Sequence, residues 1–287
     1  MTSESATLQR LESYYDAVPR RRSRTEELGP FTLFVARVGW PYYARPVLGG
    51  EQSATTADVR DVLARQRELD VPRSLEWVDE VTPGLVEVAR EAGLFVESCP
   101  LLVLDGQPRR PAATAMGTAR VLEPTELDVV AASRAAVHVS FTQGGTARGE
   151  AGIKARDAHV ADHPDDVSDN LVSSLRDGWV RLAAAFANED ADLGHSPVAE
   201  VSELGPVGGG SHSPVTEVSE LAGIAVLPAY RRQGLGAQLT CVLAADALSL
   251  GVSTVFCSAQ SDEVARIYEG IGFRRVGTAC IAAEDAH

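Results

Sequence analysis

The stretch Leu221–Thr240, LAGIAVLPAYRRQGLGAQLT, constrains this chain more than any other. An apolar strand, Leu221–Leu227, runs into Pro228, whose ring has no backbone N–H and ends a ladder. A basic pair follows, Arg231 and Arg232, then Gln233 and a Gly-x-Gly, Gly234-Leu235-Gly236. A helix reads on from there to about Ser249. Glycines at a strand-to-helix turn let the backbone curl and aim successive N–H groups outward, and the helix start adds partial positive charge. The pattern is a cradle for pyrophosphate. Two other phosphate motifs are excluded: no Gly-Lys pair supplies a Walker loop, and Leu239 stands where GxGxxG needs its third small residue.

With its Arg231, Gly234 and Gly236, this stretch resembles the pyrophosphate motif Arg/Gln-x-x-Gly-x-Gly/Ala of the GNAT superfamily of acyl-CoA-dependent acyltransferases. Upstream, Ala119–Glu126, ARVLEPTE, is similar to the family's first strand and helix start. Downstream, Ala265–Gly277, ARIYEGIGFRRVG, is similar to its C-terminal signature, a helix with a Tyr followed by Gly-Phe. The resemblance covers roughly 118–282.

The resemblance implies direct acetyl transfer from acetyl-CoA, the acyl donor, to a primary amine of a small molecule. Backbone groups of Ile224, Ala225 and Val226 would hold the thioester and pantetheine, and Arg231, Arg232, Gln233, Gly234, Leu235, Gly236 and Ala237 the pyrophosphate. Tyr268 matches the family's general acid, which protonates the leaving thiolate. Ser261 stands where the family often places an Asn that contacts CoA. Glu220 lies eleven residues before Arg231, the spacing of the strand base in one branch, with Glu217 as the alternative. Strand alternation allows only one of the two to face the cleft unless a bulge intervenes. The alternative function is an acyl-CoA-binding interaction module without turnover.

Strands alternate with helices along the chain, which indicates an α/β (α+β layered) fold. Expected elements include strands at 32–38, 75–78, 119–122, 180–187 and 253–258, and helices at 57–69, 83–92, 126–139 (N-cap Thr125), 165–176 and 262–269. Thr142–Pro164 reads as an irregular lid. Asp105–Gly117, rich in Pro, Gly, Ala and Arg, reads as the break between halves. The expected domains are 1–108 (a degenerate copy of the second half or an unrelated accessory domain), a linker at 109–117, and a catalytic domain at 118–287.

Two internal repeats are visible. HSPVAEVSEL at 195–204 recurs as HSPVTEVSEL at 212–221, which reads as a local duplication that added a hairpin. A weaker repeat aligns Ser74–Phe95 with Ser253–Arg274, an offset of 179 residues. Carried to the cradle, that offset sets Gln52 against Arg231, Ser53 against Arg232, Thr55 against Gly234 and Ala57 against Gly236, and sets Ala89 against Tyr268. The first half thus resembles a degenerate copy, so the expectation is two GNAT-like mixed-sheet domains with one set of catalytic residues. Its role would be to buttress the active domain, close the acceptor cleft or form a homodimer. The aromatic cluster Trp40, Tyr42 and Tyr43 reads as a packed hairpin, with a wall of an acceptor pocket as the alternative.

Charge narrows the partners. There are 26 basic and 40 acidic residues, net −14, which disfavours nucleic acid and anionic membrane surfaces. Glu150–Glu220 carries four basic against fourteen acidic residues, a field suited to a cationic amine. Cys99, Cys241, Cys257 and Cys280 lack CxxC spacing, so neither zinc nor a disulfide scaffold is expected. With no apolar leader at 1–9 and no apolar run of membrane length, the expected location is the cytoplasm. No metal spacing is evident: His138 reads as a packed neutral side chain, His159 and His163 fall in the lid, and His212 is a candidate wall of the acceptor site.

Overall fold

A computed structural model describes residues 3–37, 43–50, 52–109, 116–188 and 204–284. In chain order the elements are α1 (Ser3–Arg20), β1 (Ser23–Leu28), β2 (Phe31–Ala36), β3 (Ala44–Pro46), α2 (Thr56–Glu68), β4 (Ser74–Val78), α3 (Leu85–Glu91) and β5 (Phe95–Leu104). There follow β6 (Gly117–Val121), α4 (Leu127–Phe141), α5 (Ile153–Asp162), α6 (Asp169–Arg176), β7 (Arg181–Ala187), β8 (Pro206–Val215), β9 (Val218–Val226), α7 (Leu235–Ser249), β10 (Thr254–Ser258), α8 (Asp262–Ile271) and β11 (Phe273–Ala283). The fold is mixed α/β.

By contacts the chain divides into two compact units. The first holds 1–102, 258–261 and 275–287, and the second holds 103–257 and 262–274. This spatial division differs from the expected 1–108, 109–117 and 118–287 in giving the C-terminal strand to the first unit. Residues 110–115 of the expected linker, the aromatics Trp40 and Tyr42, and all but Leu204 of the first HSPV copy lie outside the described residues.

In the first unit the strand order is β1-β2-β3-β4-β11-β5. β1, β2 and β3 pair antiparallel, β3 and β4 parallel, and β11 antiparallel to β4 with Cys280 opposite Trp77. Its core gathers Phe31, Leu33, Leu75 and Trp77 from strands with Val59, Val62, Leu63, Leu85, Val86 and Ala89 from α2 and α3. The sequence reading missed α1, whose stripe of Leu8, Leu11, Tyr14 and Tyr15 is buried at helical spacing.

In the second unit the order is β10-β9-β8-β7-β6, parallel between β10 and β9 and antiparallel elsewhere. Gly208–Gly210 on β8 explains how two helices approach this sheet. A Cβ on Gly209 would lie 2.2 Å from Ser133 Oγ of α4, and one on Gly210 would lie 3.0 Å from Leu243 of α7. Successive strand residues face opposite ways, so α4 and α7 cover opposite faces. On α7 the buried Leu235, Leu239, Leu243, Ala244 and Ala247 supply the apolar stripe.

Two local expectations fail. The lid contains a helix, α5, which the sequence hid because its one buried side chain is Arg156, not an apolar stripe. Arg156 donates to the carbonyls of Leu204 at 2.8 Å and Pro206 at 2.6 Å. The N-cap of α4 is Glu126 and not Thr125, with no side-chain cap bond. The Glu126 carboxylate instead pairs with Arg120 and accepts the Glu123 N–H.

Candidate active site

β9 ends at Val226, and Pro228–Tyr230 form one tight helical turn. Arg232 then takes a left-handed conformation (φ 64°), as does Gly234 (φ 77°, ψ 0°), before α7 begins at Leu235. Left-handed residues ahead of a helix start make a concave nest of N–H groups. No side chain caps α7 at Gly234, and its first turn carries no acidic residue. The orphan N–H groups of that turn therefore lack the usual carboxylate or hydroxyl acceptor. A Cβ placed on Gly236 meets no atom within 4 Å, so the space above the turn is open. Leu235 is buried and anchors the start of α7, and the Gln233 carbonyl accepts the Met116 N–H at 3.2 Å.

β9 and β10 pair over only three rungs: Val218–Thr254, Ser219–Val255 and Glu220–Phe256. Beyond Glu220 the ladder stops, and the β10-facing edge of Leu221–Val226 lies outside it. On the other side, Gly209 pairs with Ala225 but Ser211 pairs with Ala222. Gly210 thus faces two residues, Gly223 and Ile224. This is a β-bulge, and Gly223 takes the positive φ of 63° that it requires. A strand edge that is released, bulged and aimed at the nest can pair with an extended ligand.

Glu220 sits on the last rung and is half-buried. Glu217 lies outside β9, exposed in the turn beside Thr216, with its carbonyl accepting the N–H groups of Ser253 and Thr254. Tyr268 on α8 is 7% exposed and packs on Phe273 at 5.9 Å between ring centres. Burial, with the Cys257 thiol adding to it, pushes the Tyr268 hydroxyl far above its ordinary range, so it keeps its proton. Burial and the charge of Glu220 likewise raise Cys257. Glu220 and Tyr268 are thus both within electrostatic reach of one buried thiol.

The remaining candidates fall into place unevenly. Arg231 turns its guanidinium to main-chain carbonyls, Ser140 O at 2.9 Å among them. The exposed Arg232 donates to Thr146 O and to Glu263, each at 3.1 Å. Ser261 immediately precedes α8, is exposed, and groups with the first unit. His212 is fully buried and so is no acceptor wall. Its Nδ1 bonds Ser219 Oγ at 2.9 Å and its Nε2 bonds Asp246 Oδ2 at 2.8 Å. His138 is exposed, against expectation, and its ring stacks on His159 at 4.2 Å, which stacks on His163 at 4.1 Å. Among the described residues no His, Cys, Asp and Glu cluster is arranged to hold a metal.

The first unit builds the matching helix start differently. α2 begins at Thr56, 179 residues before Leu235 of α7. Its N-cap Thr55 accepts the Asp58 N–H through Oγ1, and Asp58 Oδ2 accepts the Thr55 N–H at 2.8 Å. Ala89, opposite Tyr268 in the repeat, is a fully buried core residue.

Sequence reasoning missed the Gly223 bulge, although a lone glycine inside a strand signals one. It also missed Glu263, Cys257 and Asp246, for which no local pattern exists.

Residues 194–275 match the family model described as an acetyltransferase (GNAT) domain. No curated protein is significantly similar to the chain. Among solved structures, a GCN5-related N-acetyltransferase from Kribbella flavida is 21% identical, with 98% of this chain and 96% of that one aligned at a TM-score of 0.63. A functionally unknown conserved protein from Staphylococcus epidermidis ATCC 12228 is 14% identical, over 92% and 94%, at 0.53. A GCN5-related N-acetyltransferase from Sphaerobacter thermophilus is 14% identical, over 90% and 81%, at 0.50. Identities this low establish a shared fold. Residues 194–275 are thus similar to a GNAT acetyltransferase domain, and the chain shares its fold along nearly its whole length with a GCN5-related N-acetyltransferase.

Proposed function

We propose that this protein moves an acetyl group from acetyl-CoA to a primary amine of a small molecule by direct transfer. The observation that carries the reading is the start of α7: uncapped, free of acidic residues, and open above Gly236. It suits a pyrophosphate, which needs N–H donors and no competing carboxylate.

When bound, acetyl-CoA supplies the acetyl thioester. Backbone N–H groups of Arg232–Ala237 would hold its pyrophosphate, and the released edge of Ile224–Val226 would pair with its pantetheine arm. Glu220, at the last β9–β10 rung, accepts the amine proton, directly or through a water. Tyr268 holds its proton through the neutral range and gives it to the thiolate sulfur as the C–S bond breaks. Tyr268→Phe is expected to lower kcat about 100-fold, a general acid's usual contribution. The acidic excess of Glu150–Glu220 supports a cationic acceptor. All four cysteines are buried free thiols, which supports a reducing cytoplasm.

The test is thiol release from acetyl-CoA across a panel of primary amines. Amine-dependent release supports transfer. Tight acetyl-CoA binding with no amine raising turnover would mean a binding module instead of an enzyme.

A further inference from the structure

We propose that Arg231 is a positioning residue, which fixes the α4–α5 connection against the exit of β9 and does not ligate pyrophosphate. The acetyltransferase reading is needed only for the kinetic arm of its test. The guanidinium is engaged on every side. Nε donates to Val226 O at 3.2 Å and Nη1 to Ala147 O at 3.2 Å. Nη2 donates to Ser140 O at 2.9 Å and Gln143 O at 2.7 Å. All four acceptors are main-chain carbonyls, and three belong to a segment 84 to 91 residues earlier in the chain. A planar fork of five N–H donors can serve four carbonyls at once, and no other side chain can. Ser140 lies in the last turn of α4, where the helix dipole favours a cation.

The main chain runs along the same seam. Gly149 N–H donates to Pro228 O at 3.1 Å, Ala229 N–H to Ala151 O at 3.0 Å, and Arg148 Nε to Arg231 O at 3.2 Å. A side chain at Gly149 would put its Cβ 3.0 Å from Pro228 Cβ, so the two segments are in close contact. The other end of the seam is α4, which covers the bulge: a Cβ on Gly223 would meet Val137 at 3.9 Å. Arg231 therefore ties the wall above the bulge to the strand that leads into the nest, while the N–H groups of the nest come from backbone that its side chain does not build.

Three full-length variants decide the role. Arg231→Gln keeps two donors and loses the charge, Arg231→Lys keeps the charge and loses the fork, and Arg231→Ala loses both. A positioning residue predicts faster amide exchange at 140–151 in the Ala and Lys variants, with Gln partly restoring protection. Acetyl-CoA Kd stays within about threefold throughout, while the amine KM rises about tenfold or more in Ala and Lys. A phosphate ligand predicts the reverse: Kd rises tenfold in Ala with a shallower salt dependence, Lys restores it, and Gln does not. That result, or unchanged exchange at 140–151, overturns the proposal. Exchange needs no substrate, so if the wild-type protein fails to bind acetyl-CoA the functional reading falls and the role of Arg231 is still decided. If Arg231→Ala does not fold, the Lys and Gln pair gives the answer.

Discussion

The starts of α2 and α7 sit 179 residues apart in the chain, each after a strand and before the next, and they are finished in opposite ways. α2 is closed by its own chemistry. Thr55 and Asp58 form a reciprocal capping box, and the Asp58 carboxylate, held below its ordinary pKa by the Thr55 hydroxyl and N–H, occupies the helix end. α7 has a left-handed Gly234 at its cap position and the small residues Gly236 and Ala237 where α2 has Ala57 and Asp58. A helix start can satisfy its N–H groups from within or reserve them for a ligand, and a carboxylate already in place repels a second anion. On the proposed function, the open helix start of the second unit is the one that would take acetyl-CoA, while the first unit's is capped by its own side chains. The contrast also asks what holds α7 down. Its start is anchored by buried Leu235, and toward its C-terminal end Asp246 takes Arg181 at 2.9 Å and buried His212 at 2.8 Å.

The largest effect is expected from Gly236→Glu. The added side chain has open space, so the fold survives, but its carboxylate enters the nest, and acetyl-CoA Kd should rise about 1,000-fold in calorimetric titration. Loss of the fold instead would show that α7 needs Gly236 structurally. Asp246→Ala tests the other end of the helix. Leaving His212 and Arg181 without their carboxylate should cost about 3 kcal/mol in denaturant unfolding. Burial would raise Asp246, but hydrogen bonds from His212 and Arg181 overcome it and hold it at about 2. The unfolded carboxyl titrates near 3.9, so roughly this stabilisation is complete above about pH 4 and lost as pH falls towards 2. In Asp246→Ala that acid limb should flatten.

Ala237→Asp copies Asp58 into α7 and should weaken acetyl-CoA binding about tenfold while leaving stability unchanged or slightly raised. The smallest effect belongs to α2. Thr55→Ala should cost about 1 kcal/mol of stability and leave acetyl-CoA binding where it was.

Much of this contrast was legible in the sequence. The offset of 179 aligned Thr55 with Gly234, and the two helices begin at that alignment. The cradle, Pro228 and the α8 Tyr could be read because each is a local pattern set by backbone conformation. Glu217 was misplaced on the strand because the turn at Thr216 depends on where β8 and β9 close their hairpin. His212 reads from sequence as a candidate acceptor wall because its buried partner Asp246 lies 34 positions away, with no local sign of the pairing. For Arg231 a sequence shows the charge but not the distant carbonyls that its guanidinium reaches. The place of β11 beside β4 in the first unit is likewise a long-range pairing with no local signature.

Calorimetric titration of acetyl-CoA into the wild-type chain, Gly236→Glu and Asp58→Ala bears most directly on the central claim. The account predicts a single saturable site that disappears in Gly236→Glu and is unchanged in Asp58→Ala. Binding that survives Gly236→Glu, or that is altered at Asp58, would contradict it.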